Sequence, residues 1–152
     1  MSNGQIDNLT TAQIRALTDA QVKALENRDV TELQADLATN QVAALSGSQL
    51  GALAAETTAG VGLLSTAQVR ALTVGQLAVM SYGQIQAMSS AQIGAMSTAQ
   101  LQALNGAQLS NINTGDLVAL TTTQFNAFTS TQLGTMTSTQ VQALTSAHIN
   151  AL

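Results

Sequence analysis

Residues 81–104 read SYGQIQAM, SSAQIGAM and STAQLQAL, three successive versions of one eight-residue unit. The consensus is Ser/Thr-x-x-Gln-apolar-x-Ala-Leu/Met, and the rest of the chain consists of further copies. Anchored on the glutamine position, eighteen copies fall at 5, 13, 21 and 29, at 41 and 49, and then at every eighth residue from 60 to 148. Fourteen anchors are Gln; the exceptions are Asp29, Gly60, Asp116 and His148. Counting from the anchor, positions +1 and +4 are apolar in all eighteen copies, from Ile6 and Leu9 to Ile149 and Leu152. Position −3 is Ser, Thr or Asn in sixteen, with Glu26 and Ala38 the exceptions. A fixed period of this strictness is the signature of a repeat architecture.

Each copy carries the signals of a short helix. A Ser/Thr hydroxyl followed three residues later by Gln is a capping box: the hydroxyl accepts from the third helical amide, and the Gln side chain reaches back to the amide of the cap. The residues that follow, such as Ala-Gln-Ile-Gly-Ala-Met in 91–96, are mostly good helix formers. Positions +1 and +4 are three apart and share a face. The Ala residues at −1 and +3 form an adjacent strip that would permit close helix contact. One unbroken helix is excluded, because eight residues at ~100° each leave the apolar stripe ~80° out of phase per copy. The helix must therefore restart in every copy, with the +4 and −3 residues forming the corner.

The alternative is a β-solenoid, in which positions −1, +1 and +3 all point inward. Against it, +1 and +4 would lie on opposite faces of a strand, and Ala, Gln, Leu and Met are poor strand formers. An all-α solenoid, a superhelix of short capped helices with one per repeat, is the expected fold. A single copy buries too little to offset the entropy of ordering its backbone, so copies must stack and stabilise one another.

The period slips twice, by four residues around Gln34 to Leu37 and by three around Ala54 to Glu56. Insertions of that size add about one helical turn and are expected to lengthen a helix without turning its apolar face away. No Pro/Gly/Ser-rich linker interrupts the chain. The expectation is one domain over 1–152, less regular over 26–60 and regular over 60–152.

Composition narrows the function. Charged residues make up 8 % of the chain, against roughly 25 % in a typical domain, and past Arg70 the one charged side chain is Asp116. A net charge of −4 with four basic residues gives no footprint for nucleic acid or an acidic membrane. Without Cys there is neither a disulfide framework nor a thiolate metal site. No apolar run reaches the ~18 residues that span a bilayer, and Met1 to Leu9 lacks the regions of a signal peptide.

Candidate sites are few. The residue at +2 varies most, including Arg15, Lys23, Thr31, Gly51, Arg70, Gln86, Gly94, Gln102, Asn126 and Gly134. Free choice at fixed phase marks a hydrated face, and with the Ser/Thr row it is the surface presented to any partner. His148 occupies an anchor, where a ring nitrogen can imitate the Gln cap. Asp29 and Asp116 are anchors too, and a carboxylate there meets the positive end of the helix dipole. Asp19, Glu26, Asp29, Glu32 and Asp36 are interleaved with Arg15, Lys23 and Arg28 and read as a solvated charged face. Asn113 to Asp116 falls inside the repeat register and lacks the clustered oxygens of a Ca²⁺ loop. Met80, Met88, Met96 and Met136 replace Leu in its own slot, Phe125 and Phe128 fill both apolar slots of one copy, and Tyr82 is expected to be exposed. No catalytic, cofactor-binding or metal-ligating residue is assigned.

The octads LTTAQIRA, MSSAQIGA and LTSTQVQA resemble the tandem octapeptide tracts of very large secreted or surface proteins of bacteria, over almost the whole chain. The resemblance implies a spacer or stalk, located outside the cell or on its surface. The functional expectation is a non-enzymatic structural module: spacer, stalk or self-assembling filament unit. Leu152 completes a copy without capping residues, so the expectation is that the module stacks end to end or continues into further copies in a longer parent, with neither nucleic acid nor membrane insertion. The alternative is a binding module that presents regular Ser/Thr/Gln rows to a glycan, to ice or to a protein surface.

Overall fold

A computed structural model describes residues 6, 8–53, 60–150 and 152. The anchor at Gln5 and the insertion at Ala54 to Glu56 lie outside the described residues. Sixteen short α-helices follow one another among those described. They are α1 (Thr11–Arg15), α2 (Asp19–Lys23), α3 (Asn27–Leu33), α4 (Thr39–Ala44), α5 (Gly47–Ala52), α6 (Thr66–Ala71), α7 (Val74–Val79) and α8 (Tyr82–Gln86). Then come α9 (Ser90–Ala95), α10 (Thr98–Ala103), α11 (Gly106–Ser110), α12 (Thr114–Val118), α13 (Thr122–Phe125), α14 (Ser130–Leu133), α15 (Ser138–Ala143) and α16 (Ser146–Ile149). The copy anchored at Gly60 forms a 3₁₀ turn, Val61–Leu63.

Each restart has the same geometry. In the corner between α6 and α7, Leu72 is extended (φ −58°, ψ 132°) and Thr73 follows suit (φ −74°, ψ 156°). Two extended residues break the helix and turn the chain, and no described residue needs a positive φ to do so. At Thr73 the hydroxyl accepts from the Gln76 amide at 3.2 Å, and the Thr73 amide donates to Gln76 Oε1 at 2.8 Å.

Helices three steps apart pack side by side: α6 on α9, α7 on α10, α9 on α12, α12 on α15. Three octapeptides therefore make one turn of the solenoid, and successive turns stack. Along the axis runs a single continuous core of +1 and +4 side chains, from Ile6 and Ile14 through Leu77, Met96 and Leu101 to Phe125 and Phe128. Both positions are buried, which the alternation of a strand cannot achieve; the described residues contain no strand. The fold is an all-α solenoid.

Two local expectations are corrected. The four-residue insertion does not simply lengthen a helix. Helix α3 reaches seven residues, and residues 34–36 then form a turn that closes on Leu37, buried in the core. The insertion thereby adds a corner of its own. The Ala strip at −1 is also not a packing face: Ala12, Ala67, Ala91 and Ala107 are exposed. Close contact between turns falls instead at −2 against +3 of the copy three steps on. A Cβ added at Gly106 would lie 2.5 Å from the Thr135 side chain.

Candidate functional site

The chemistry-bearing feature of this chain is the row of anchor glutamines. Their side chains are buried in the linked copies, for example Gln41, Gln84, Gln100 and Gln108, although an amide in a low-dielectric interior is costly unless every polar atom is partnered. Each is. At Gln100, Oε1 accepts from the Ser97 amide at 2.8 Å, the local cap. Nε2 faces the other way and donates to the carbonyls of Val69 at 3.0 Å and Leu72 at 2.7 Å, one solenoid turn earlier.

The pattern repeats along the chain. Gln41 reaches Ile14 and Leu17, Gln49 reaches Val22 and Leu25, and Gln76 reaches Val42 and Leu45. Gln92 reaches Val61 and Leu64, Gln108 reaches Leu77 and Met80, Gln132 reaches Leu101 and Leu104, and Gln140 reaches Leu109 and Ile112. Gln84 takes Leu50, and Gln124 takes Gly94 and Met96. Most of the receiving carbonyls stand at +1 and +4 of a copy. The +1 carbonyl also accepts from the +4 amide of its own copy, as Val69 does from Leu72 at 3.2 Å. The +4 carbonyl lies in the corner beyond the helix, where intrahelical donors end. One amide thus caps the start of its own helix and the end of another.

Gln68 shows how the chain counts. Its acceptors are the carbonyls of Gln34 and Leu37, at 2.9 and 2.8 Å. These residues stand at +1 and +4 of the insertion, not of the copy anchored at Asp29. With the insertion scored as one step, every link spans four steps. The insertion is not perfect, however: Gln34 occupies a core position, and its Oε1 is buried with no hydrogen-bond partner.

The non-Gln anchors show what each loses. Asp116 is a carboxylate and cannot donate to a carbonyl. It accepts from Ser90 Oγ at 2.5 Å and from Asn113 Nδ2 at 3.2 Å, and in place of the missing amide Asn113 Nδ2 reaches the Gln86 carbonyl of the corner beneath at 3.5 Å. Asp29 accepts from the Glu26 amide at 3.3 Å, and no copy of the chain stands the four steps before it that a link spans. His148 does imitate the link. Nε2 lies 3.0 Å from the Leu120 carbonyl and Nδ1 lies 3.0 Å from Thr145 Oγ1. A carbonyl only accepts, so Nε2 carries the proton in this arrangement. The ring also stacks on Phe125, with centroids 4.8 Å apart.

The outer rows are less idle than free variation implies. Arg15 Nε donates to the Asp36 carbonyl, Arg70 Nε to that of Ala95, and Gln102 Nε2 to that of Ala127. In each pair a +2 side chain ties to a +3 carbonyl in the next turn. Two of the acids work across turns: Asp36 accepts from Thr11 Oγ1 and Asp19 from Asn40 Nδ2. Arg28 Nε forms an ion pair with Glu32 Oε1 at 3.0 Å, one helical turn away. Tyr82 is exposed, as expected, beside exposed Val79. A cleft bordered by Arg15, Leu37, Thr39 and Gln68 opens at the insertion. Among the described residues no three His, Asp or Glu side chains gather where a metal ion could be held, and no helix is long and apolar enough to cross a membrane.

Comparison with known families bears on the period directly. The family described as “ALTTAQ repeat” matches three times, over residues 1–35, 77–113 and 109–146, well over half of the chain. The chain belongs to the ALTTAQ repeat family. The matches leave out 36–76, the stretch that holds most of both slips of the period. No curated protein and no solved structure matches the chain.

The sequence contained a signal for the second role of the glutamine that capping alone does not use. Glu serves a capping box as well as Gln, yet none of the eighteen anchors is Glu. The missing Glu marks a need for a donor as well as an acceptor.

Proposed function

We propose that the chain is a non-enzymatic structural repeat module, a spacer, stalk or filament unit of a bacterial secreted or surface protein. One observation carries the reading: the buried polar side chains of the repeat are spent on joining one solenoid turn to the next, as at Gln100 and Gln132. A side chain committed on both sides to backbone has no valence left for a substrate, and its use is mechanical. Copy number then sets length. Packed helices lie ~8–10 Å apart, so each 24-residue solenoid turn extends the molecule by about that distance. Deleting residues 85–108 or duplicating them, followed by small-angle X-ray scattering, tests this. The longest dimension should fall or rise by one such increment with the cross-section unchanged. A change in cross-section, or loss of helical content on duplication, overturns the reading.

A second reading, a binding module, draws on the last third of the chain. There hydroxyls occupy both −2 and −1 in three successive copies, as the exposed pairs Thr122/Thr123, Ser130/Thr131 and Ser138/Thr139. A glycan array and a thermal-hysteresis assay address it; a specific hit on either would favour it over the spacer.

A further inference from the structure

The ladder leaves unmatched groups of opposite kind in its first and last turns. Gln13 and Gln21 keep the local half of the bond, accepting from the amides of Thr10 and Thr18. Their Nε2 atoms meet no acceptor among the described residues, and both side chains are exposed where linked glutamines are buried. Beside them Leu17 and Leu25, corner residues of that turn, are half-buried, whereas interior corners such as Leu72 and Leu104 are buried.

The last turn presents the complement. The carbonyls of Met136 and Leu144 receive no amide from the described residues, and both side chains are half-buried. Val141 and Ile149 stand 49 % and 50 % exposed at a position that reads 0–1 % in the copies from Val22 to Phe125. Charge does not oppose a union of the two: nine of the twelve charged side chains lie within residues 7–36, and none follows Asp116. Like charges therefore do not face each other.

We propose that the last turn of one molecule seats the first turn of a second copy of this chain, in the register that joins turns inside it. Four steps back from Gln13 lie the carbonyls of Leu133 and Met136 in the second copy; four steps back from Gln21 lie those of Val141 and Leu144. The half-exposed leucines of one turn complete the core of the other. The interface is the internal one continued, which is why a second copy is its occupant. Asp29 supplies no amide there, as Asp116 supplies none within the chain. Because donors sit at one end and acceptors at the other, the contact is head-to-tail and open, and gives filaments rather than closed dimers. The proposal rests on the structural-module reading and names its partner.

Sedimentation velocity of the 152-residue chain from micromolar to millimolar concentration is the test. The wild-type chain should form a concentration-dependent series of oligomers. One variant closes the acceptor end, Val141→Asp with Ile149→Asp; another closes the donor end, Leu17→Asp with Gln21→Leu. Each alone should remain monomeric, and an equal mixture should give one-to-one dimers and nothing larger. A gentler variant, Gln13→Glu with Gln21→Glu, keeps the caps and removes the donors; association should weaken about tenfold or more. A helical wild-type chain that stays monomeric at millimolar concentration overturns the proposal and leaves the spacer reading, tested by length, standing. Self-association of a single-end variant, or no dimer from two helical variants, overturns it as well.

Discussion

Replacing Gln100 by Glu changes one NH₂ into one oxygen and separates the two roles of the anchor. The cap survives, because the retained oxygen still accepts from the Ser97 amide at 2.8 Å. The link does not. The new oxygen is directed at the carbonyls of Val69 and Leu72, 3.0 and 2.7 Å from the atom it replaces, with no proton between them. Unmade buried hydrogen bonds cost about 1–3 kcal/mol each, so the expected loss at neutral pH is about 3 kcal/mol. At roughly 2–4 °C per kcal/mol, Tm should fall by about 6–12 °C. Burial and the facing carbonyls disfavour the charged form and raise the folded-state pKa of the introduced carboxyl above its unfolded value of about 4.3. The folded state then binds the proton more tightly. Stability is best preserved below the unfolded pKa, is lost as pH rises through the interval up to the folded pKa, and is flat beyond. Gln13→Glu is the control: the same cap, exposed, with no described carbonyl beneath it. Its effect should stay within about 0.5 kcal/mol. Thermal and urea unfolding of dilute protein followed at 222 nm read both. Equal losses at positions 13 and 100, or a Gln100→Glu loss independent of pH between 4 and 7, would refute the division of labour assigned to the amide.

Two further substitutions probe the packing. Gln34→Leu removes an orphaned acceptor from a core position and should stabilise by about 1–3 kcal/mol; a rise in the urea midpoint is expected, and a fall would mean that the oxygen is satisfied. Gly106→Ala brings a methyl against Thr135, 2.5 Å from its Cγ2, and should cost about 1 kcal/mol net of the gain in helix propensity. Adding Thr135→Ala should restore stability with a coupling energy of about 1 kcal/mol; strict additivity in the double-mutant cycle would place the two turns further apart than they are drawn.

The period, the corners and the all-α class are legible because they follow from local rules: cap chemistry at −3 and 0, and helical phase at +1 and +4. Phe125 and Phe128 lie in the core for the same reason, as do Met80, Met88 and Met96. The number of helices per turn was not legible, since no local rule fixes the angle at a corner made of two extended residues. The far half of the glutamine was missed because its acceptors are backbone carbonyls, which every residue has and no motif reveals. The same holds for Arg70 and Gln102, whose +2 side chains look free in sequence and are bonded to Ala95 and Ala127 carbonyls in space. The insertion misled because residue arithmetic measures length, whereas the solenoid registers corners. Leu37 closes one, and the count advances.

Every anchor glutamine that links two turns points backwards, to carbonyls 24–34 residues nearer the N-terminus. During synthesis the acceptors are therefore made before the donor that needs them. The anchor of a newly emerged octapeptide meets a finished platform and has no wait for sequence still inside the ribosome. Growth of the solenoid becomes a one-way zipper, and its longest search distance stays constant however many copies are added.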